Sequence, residues 1–304
     1  MMDPETFSVI IPTMDRPDDL RRCVRSLAEQ TKQPEEVIIV DDGDLPDELL
    51  VSFRGALPDG TMLTVTESDG PPGSSTARNT GAELANGSVC VILDDDVVLG
   101  EGYLERLAST YESINDRTLA GVGGFDSGLR SPSGIERLFN RVFGLGTEGW
   151  NVSPAGIQSW DPTVAEPTRA EWLSGNNASY RTEVLNRHRF RHWNGGREAL
   201  EDVAMGWELQ NNGYYCVIDP GLELEHADTE IEDSPFGFGV KRAYSRVRIF
   251  REFGDSRHAL GAVRAFLGDT LRHVVAPAAN QRVSYHWSVA VGMAVGFLLE
   301  AIDR

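Results

Sequence analysis

The sequence predicts an α/β protein with a mixed, mostly parallel sheet flanked by helices and continued by a helical C-terminal tail. Three observations carry that expectation. Short, continuous apolar runs of the kind found in strands covered on both faces alternate with segments of helical spacing. Two of those runs end in clusters of acids, and beyond residue 235 the pattern is helical.

Phe7 to Ile11 reads as a first strand closed by Pro12. From Pro17, Leu20, Val24 and Leu27 recur at helical spacing, with Asp18 and Asp19 in the electropositive first turn. Val37 to Val40 is a second strand ending in Asp41-Asp42-Gly43-Asp44, so strand, helix and strand form a right-handed crossover. A strand over Met62 to Thr66, a Gly/Pro/Ser loop from Gly70 to Ser75, and a helix carrying Ala77, Gly81 and Leu84 follow. Val89 to Leu93 then runs straight into Asp94-Asp95-Asp96. Open α/β sheets place ligands at such strand ends, so the two acid clusters are expected in one crevice. Residues 126 to 168 show little periodicity and read as a functional loop or insertion. A helix from about Leu200 to Asn212, stopped by Gly213, precedes a strand from Tyr214 to Ile218.

The chain has 304 residues, with 28 basic and 47 acidic side chains and a net charge of −19, which excludes a nucleic-acid binder because phosphate backbones demand a basic surface. Only Lys32 and Lys241 are lysine, a pattern shared by salt-accumulating microbes and by arginine-favouring, GC-rich genomes. Residues 235 to 304 carry +5 against −24 for the rest, which points the tail toward an anionic surface such as a membrane. Cys23, Cys90 and Cys216 lie apart in apolar runs and read as buried small hydrophobes. Acids near the N-terminus, with no apolar stretch before Phe7, lead us to expect a cytoplasmic location.

Three adjacent carboxylates at a strand end repel one another unless a cation is held there. Asp94 to Asp96 therefore imply a hard divalent ion, Mg²⁺ or Mn²⁺, or else a solvated acidic turn. The ordered set Ser8-Val9-Ile10-Ile11-Pro12-Thr13, Val40-Asp41-Asp42-Gly43, Ala77-Arg78-Asn79, Leu93-Asp94-Asp95-Asp96 and Glu201-Asp202 followed by Gly213-Tyr214 is more specific than any member. With it the chain resembles glycosyltransferase family 2, nucleotide-sugar enzymes of the Rossmann-like GT-A fold, over roughly residues 6 to 226.

That resemblance implies Thr13 and Asp42 at the base or ribose of a nucleotide-sugar donor, Arg78 near its diphosphate, Asp94 by the ribose and Asp95 in the variable middle position. It implies Asp96 as the metal ligand closing the DXD motif, and His226 either near the metal or as an ordinary histidine. Asp202, at a helix start, is the expected base that deprotonates the acceptor hydroxyl in a single inverting displacement. Asn176 and Asn177, in a stretch that looks like the one preceding the acceptor site, join Trp172 and Glu201 as acceptor candidates; Trp172 reads equally as core and Glu201 as a first-turn acid. Met14-Asp15 stands where relatives carry an aromatic residue and Asn, and QxxRW is absent after Asp202, which favours addition of one sugar.

Val283 to Leu299 is uncharged and contains Gly292-x-x-x-Gly296; it is short for a span and reads as an interfacial helix or as a terminal helix packed on the domain. With the basic tail this suggests a lipid-linked saccharide acceptor of the dolichyl-phosphate type at the cytoplasmic face of the cell membrane. The acidic, lysine-poor composition looks like that of archaeal enzymes extending dolichol-linked N-glycans of surface-layer (S-layer) proteins. The expected division is a catalytic domain over 1–234 and a membrane- or acceptor-associated tail over 235–304. The rival readings are a soluble or exopolysaccharide acceptor, and a silent sugar-nucleotide-binding scaffold.

Overall fold

The computed structural model describes residues 5–114, 116–125, 129–146, 149–193, 199–226, 234–275 and 283–302. The chain opens with β1 (Phe7–Thr13), α1 (Pro17–Ala28), β2 (Glu36–Asp41), α2 (Asp47–Ala56), β3 (Met62–Thr66), α3 (Ser74–Leu84) and β4 (Val89–Leu93). It continues through β5 (Val97–Leu99), α4 (Tyr103–Ser113), β6 (Leu119–Gly123), α5 (Gly134–Phe143), β7 (Thr168–Ala170), β8 (Asn177–Arg181) and α6 (Thr182–Leu185). Then come α7 (Glu201–Asn211), β9 (Tyr215–Ile218) and β10 (Leu224–His226), followed by the tail helices α8 (Pro235–Phe253), α9 (Ala259–Val275) and α10 (Val283–Ile302).

Eight strands form one sheet in the order β3-β2-β1-β4-β8-β6-β9-β7. The pairings of β3, β2, β1 and β4, and that of β6 with β9, are parallel; β8 and β7 run against their neighbours. The sheet is thus mixed and mostly parallel, as expected. Alternation along each strand sorts the core. Val9, Ile11, Val37, Ile39 and Val91 face one layer with α1, α2 and α4, while Ile10, Ile38, Cys90 and Ile92 face another with α3 and α7. All three cysteines are free and buried. β4 runs directly into Asp94–Asp96, and β5 then pairs antiparallel with β10 so that His226 lies opposite Val97.

One reading of the sequence is corrected. The stretch 126–168 is not aperiodic throughout: it contains α5, opened by a reciprocal Ser133/Glu136 capping box and closed by Gly144 in the left-handed region at φ 70°. Its apolar stripe, Ile135, Leu138 and Val142, faces outward. Residues 126–128 and 147–148 of that stretch lie outside the described set.

In the tail, α8 and α10 pack along much of their length, and both touch α9. Gly292 and Gly296 permit this: a Cβ at either position would collide with the carbonyl oxygen of Phe236 or Val240 on α8. Buried Glu300 receives Arg248 at 2.9 Å and Arg251, closing the far end of the pair. Among the described residues no helix is long and apolar enough to cross a membrane. Gly292→Leu is expected to force α10 off α8, lowering stability by about 1–3 kcal/mol; a thermal melt unchanged from the parent would show that the helices do not need that approach.

Candidate active site

The strand ends converge on Thr13. Its carbonyl oxygen accepts the Asp42 N–H at 3.0 Å, and its hydroxyl donates to Asp95 Oδ2 at 2.7 Å. The acid clusters that end β2 and β4 therefore sit on either side of the β1 terminus, in one crevice. The Asp42 carboxylate accepts from the Ser68 N–H and hydroxyl and from the Gly73 N–H, at 3.2, 3.0 and 3.0 Å, which ties the loop before α3 to β2. Asp95 is buried, and burial outweighs its Thr13 and Arg16 contacts, raising its carboxyl to about 6.

Asp94, Asp96 and His226 form a second constellation, with one ligand atom from each lying within 4.8 Å of the others. His226 Nε2 stands 3.3 Å from Asp96 Oδ1, a placement made by the β10–β5 pairing across about 130 residues of chain. Two carboxylates and an imidazole suit a divalent ion of the hard-to-borderline kind, with Mn²⁺ fitting an imidazole ligand better than Mg²⁺. Arg16 approaches this rim, 3.4 Å from Asp96 and 3.5 Å from Asp95.

Arg78, only 3% exposed, joins this rim to the start of α7. One terminal nitrogen donates to Glu201 at 2.7 Å; the other donates to Asp94 at 3.1 Å and to the Gly175 carbonyl at 3.3 Å. The guanidinium expected near a diphosphate is thus already held by two carboxylates. Next to Glu201, Asp202 lies in the first turn of α7, which follows Leu200, whose φ of 68° bends the chain into the helix. Asp202 Oδ1 accepts the N–H of Val203 at 2.7 Å. Burial, reinforced by the Glu201 charge and opposed by the Val203 N–H and Arg78, lifts its carboxyl to about 6. Asp94 is likewise raised by burial, against the pull of Arg78.

Not every candidate faces the crevice. Asn177 is fully buried in β8; its amide oxygen accepts from the Tyr103 hydroxyl at 2.6 Å and the Gly124 N–H at 3.2 Å, and its amide nitrogen donates to Leu222. Trp172 is also buried, packed on Trp150, with its indole N–H on the Ser159 carbonyl. Both side chains thus pack in the core, which for Trp172 is the second of the two readings its sequence left open. Asn176 stays half-exposed, accepting from Ser174, and Glu201 is engaged by Arg78. Arg16 was missed; its signal was its place as the base nearest the end of β1, opposite two acid clusters.

Residues 8–143, a little under half of the chain, match the model of glycosyl transferase family 2. Among similar proteins, glycosyltransferase AglE of Haloferax volcanii is 35% identical over 34% of this chain and 34% of its own length. The glucosyl-dolichyl phosphate glucuronosyltransferase of the same organism is 32% identical over 38% of this chain and 36% of that protein. The match thus spans about a third of the length of these curated relatives. The mannosyltransferase PcManGT of Pyrobaculum calidifontis, solved with GDP-Man and Mn²⁺, shares the fold with a TM-score of 0.61 at 17% identity, covering 98% of this chain and 88% of that one.

Calorimetric titration with Mn²⁺ is expected to give one site that Asp96→Ala abolishes and His226→Ala weakens. Equal heats from parent and Asp96→Ala would remove Asp96 from the ligand set.

Proposed function

We propose that the chain transfers one sugar, with inversion, from a nucleotide-sugar donor to a lipid-linked saccharide of the dolichyl-phosphate type, as a step in protein N-glycosylation. The observation that carries this reading is the Arg78 bridge, whose two terminal nitrogens hold Asp94 of the acid rim and Glu201, the residue before Asp202 at the start of α7. A donor phosphate site and an acceptor base must stand that close for one displacement.

In this reading Thr13 and Asp42 border the base and ribose, and Asp94 the ribose. Asp94, Asp96 and His226 hold Mn²⁺ or Mg²⁺, which when bound supplies positive charge to the departing nucleoside diphosphate. Asp202 takes the proton of the acceptor hydroxyl. An ordinary carboxylate is a weak base at neutral pH, and a carboxyl raised to about 6 has more driving force for proton removal while staying mostly ionised at pH 7. Residues 1–234 carry donor binding and catalysis, and 235–304 serve the membrane and the acceptor.

Exposed apolar stripes support a peripheral membrane position. Leu260, Val263, Leu267 and Leu271 align on α9, and Trp287, Val291 and Leu298 on α10. On α10 that stripe lies opposite Val289 and Met293, which pack toward α8. Such faces, with a surplus of arginine, suit an anionic leaflet. The two Haloferax relatives and the salt-tolerant composition agree with an archaeal, halophilic setting of S-layer glycosylation.

Asp202→Asn is expected to lower turnover by about 100-fold or more while leaving donor affinity in place. Parent activity should climb with pH through about 6 and then level, because the base works only when deprotonated; normal turnover in Asp202→Asn assigns the base elsewhere. Vesicles rich in phosphatidylglycerol should sediment the parent. A Leu267→Glu, Leu271→Glu double variant should bind them at least about tenfold more weakly, since each leucine forfeits about 1.5 kcal/mol or more. Equal sedimentation of the two would detach the α9 face from the membrane.

A further inference from the structure

Between α5, the N-terminal side of the loop after it, and the C-terminal half of α9 lies a cavity of about 430 Å³, outside the crevice of acids. That size falls in the range of ligand sites, about 300–1,000 Å³. Its walls are mostly apolar, with Leu129, Ile135, Phe139, Leu145 and Trp160 among them, and one wall carries the Arg272 guanidinium. Arg272 donates to the Asn140 amide oxygen at 2.9 Å and, among the described residues, stands in no ion pair with a carboxylate. Glu136, the acid lining the cavity, is taken by Arg130 and by the Ser133 cap.

The surroundings of Arg272 deepen its need for an anion. Asp269 is fully engaged one turn away, with Arg242 at 3.1 Å and Arg246 at 3.5 Å. Two guanidiniums thus occupy that buried carboxylate, and Arg272 stands beside them without an ion pair of its own among the described residues. Burial, with Arg242 nearby, pulls Arg272 below the usual arginine range. Unbalanced positive charge in a largely apolar chamber is costly unless a ligand brings the opposite sign.

We propose that this cavity binds a phosphorylated long-chain lipid, its phosphate on Arg272 and its chain along Phe139, Trp160 and Ile135 toward the exposed face of α5. The chemistry is read from the cavity alone; its identification with the lipid part of the acceptor rests on the function proposed above. A membrane-borne ligand fits the position, because Ile135 is 84% exposed and begins the outward stripe of α5. The cavity wall is braced from the core by Trp172, whose indole N–H holds the carbonyl of Ser159.

The test is calorimetric titration of the full chain with dodecyl phosphate below its micelle concentration, beside dodecanol and inorganic phosphate. Saturable binding of dodecyl phosphate is expected, at least tenfold tighter than either control. Arg272→Gln should weaken it at least tenfold. Should that variant fold poorly, Ile135→Asp, at an exposed position, should weaken it several-fold by setting a carboxylate at the mouth. Absence of dodecyl phosphate binding, equal binding of dodecanol or of inorganic phosphate, or wild-type affinity in Ile135→Asp would overturn the proposal. Nucleotide affinity should be the same in parent and variants. Sugar transfer from nucleotide-sugar donors to a dolichyl-phosphate-linked saccharide reads the function separately: its failure, with dodecyl phosphate still bound, sinks the enzymatic reading and leaves the lipid site standing.

Discussion

The Arg78 guanidinium is the constraint on which the crevice depends. It is buried on α3, donates to Asp94 at the end of β4 and to Glu201 at the start of α7, and also reaches the Gly175 carbonyl. Without it, carboxylates on two elements more than a hundred residues apart would face each other with nothing to offset their repulsion, in a setting where burial strengthens electrostatic forces. The same contact ties the start of α7, where Asp202 follows Glu201, to the end of β4. A buried charge with two partners is poor evidence for stability but good evidence for position.

The second constraint is the central strand. Thr13 uses its main chain on Asp42 and its side chain on Asp95, so both acid clusters are indexed to one residue. Asp42 then orders the loop before α3 through three hydrogen bonds, and α3 delivers Arg78. The chain of contacts runs from strand register to loop to helix to guanidinium. A slip of β1 against β2 would therefore disturb residues far from either strand.

The tail is organised by a different force. Glycines on α10 let two helices meet at backbone distance, and the Arg242, Arg246, Asp269 cluster and the Glu300 pairs lock the layer beneath. With the inner faces so occupied, the exposed leucines and valines of α9 and α10, such as Leu267 and Val291, have solvent or a membrane to meet. Periodicity in α9 was readable as helix, but not which stripe turns inward. The apolar stripe of α5 likewise turns outward, an orientation that periodicity alone does not specify.

By itself the sequence determined the α/β architecture, the strand ends, the DXD-like rim and the position of Asp202, because these follow from local periodicity, turn chemistry and residues adjacent in the chain. Tertiary structure alone decided that His226 meets Asp96, that Arg16 faces the same acids, that Arg78 is spent on two carboxylates, and that Asn177 and Trp172 are walled into the core. The division has a physical cause. Backbone preferences act over a few residues and leave a pattern in the chain, whereas a side chain's partners are set by strand pairing and helix packing across a hundred residues or more, and nothing local records which of several acids a given arginine will meet.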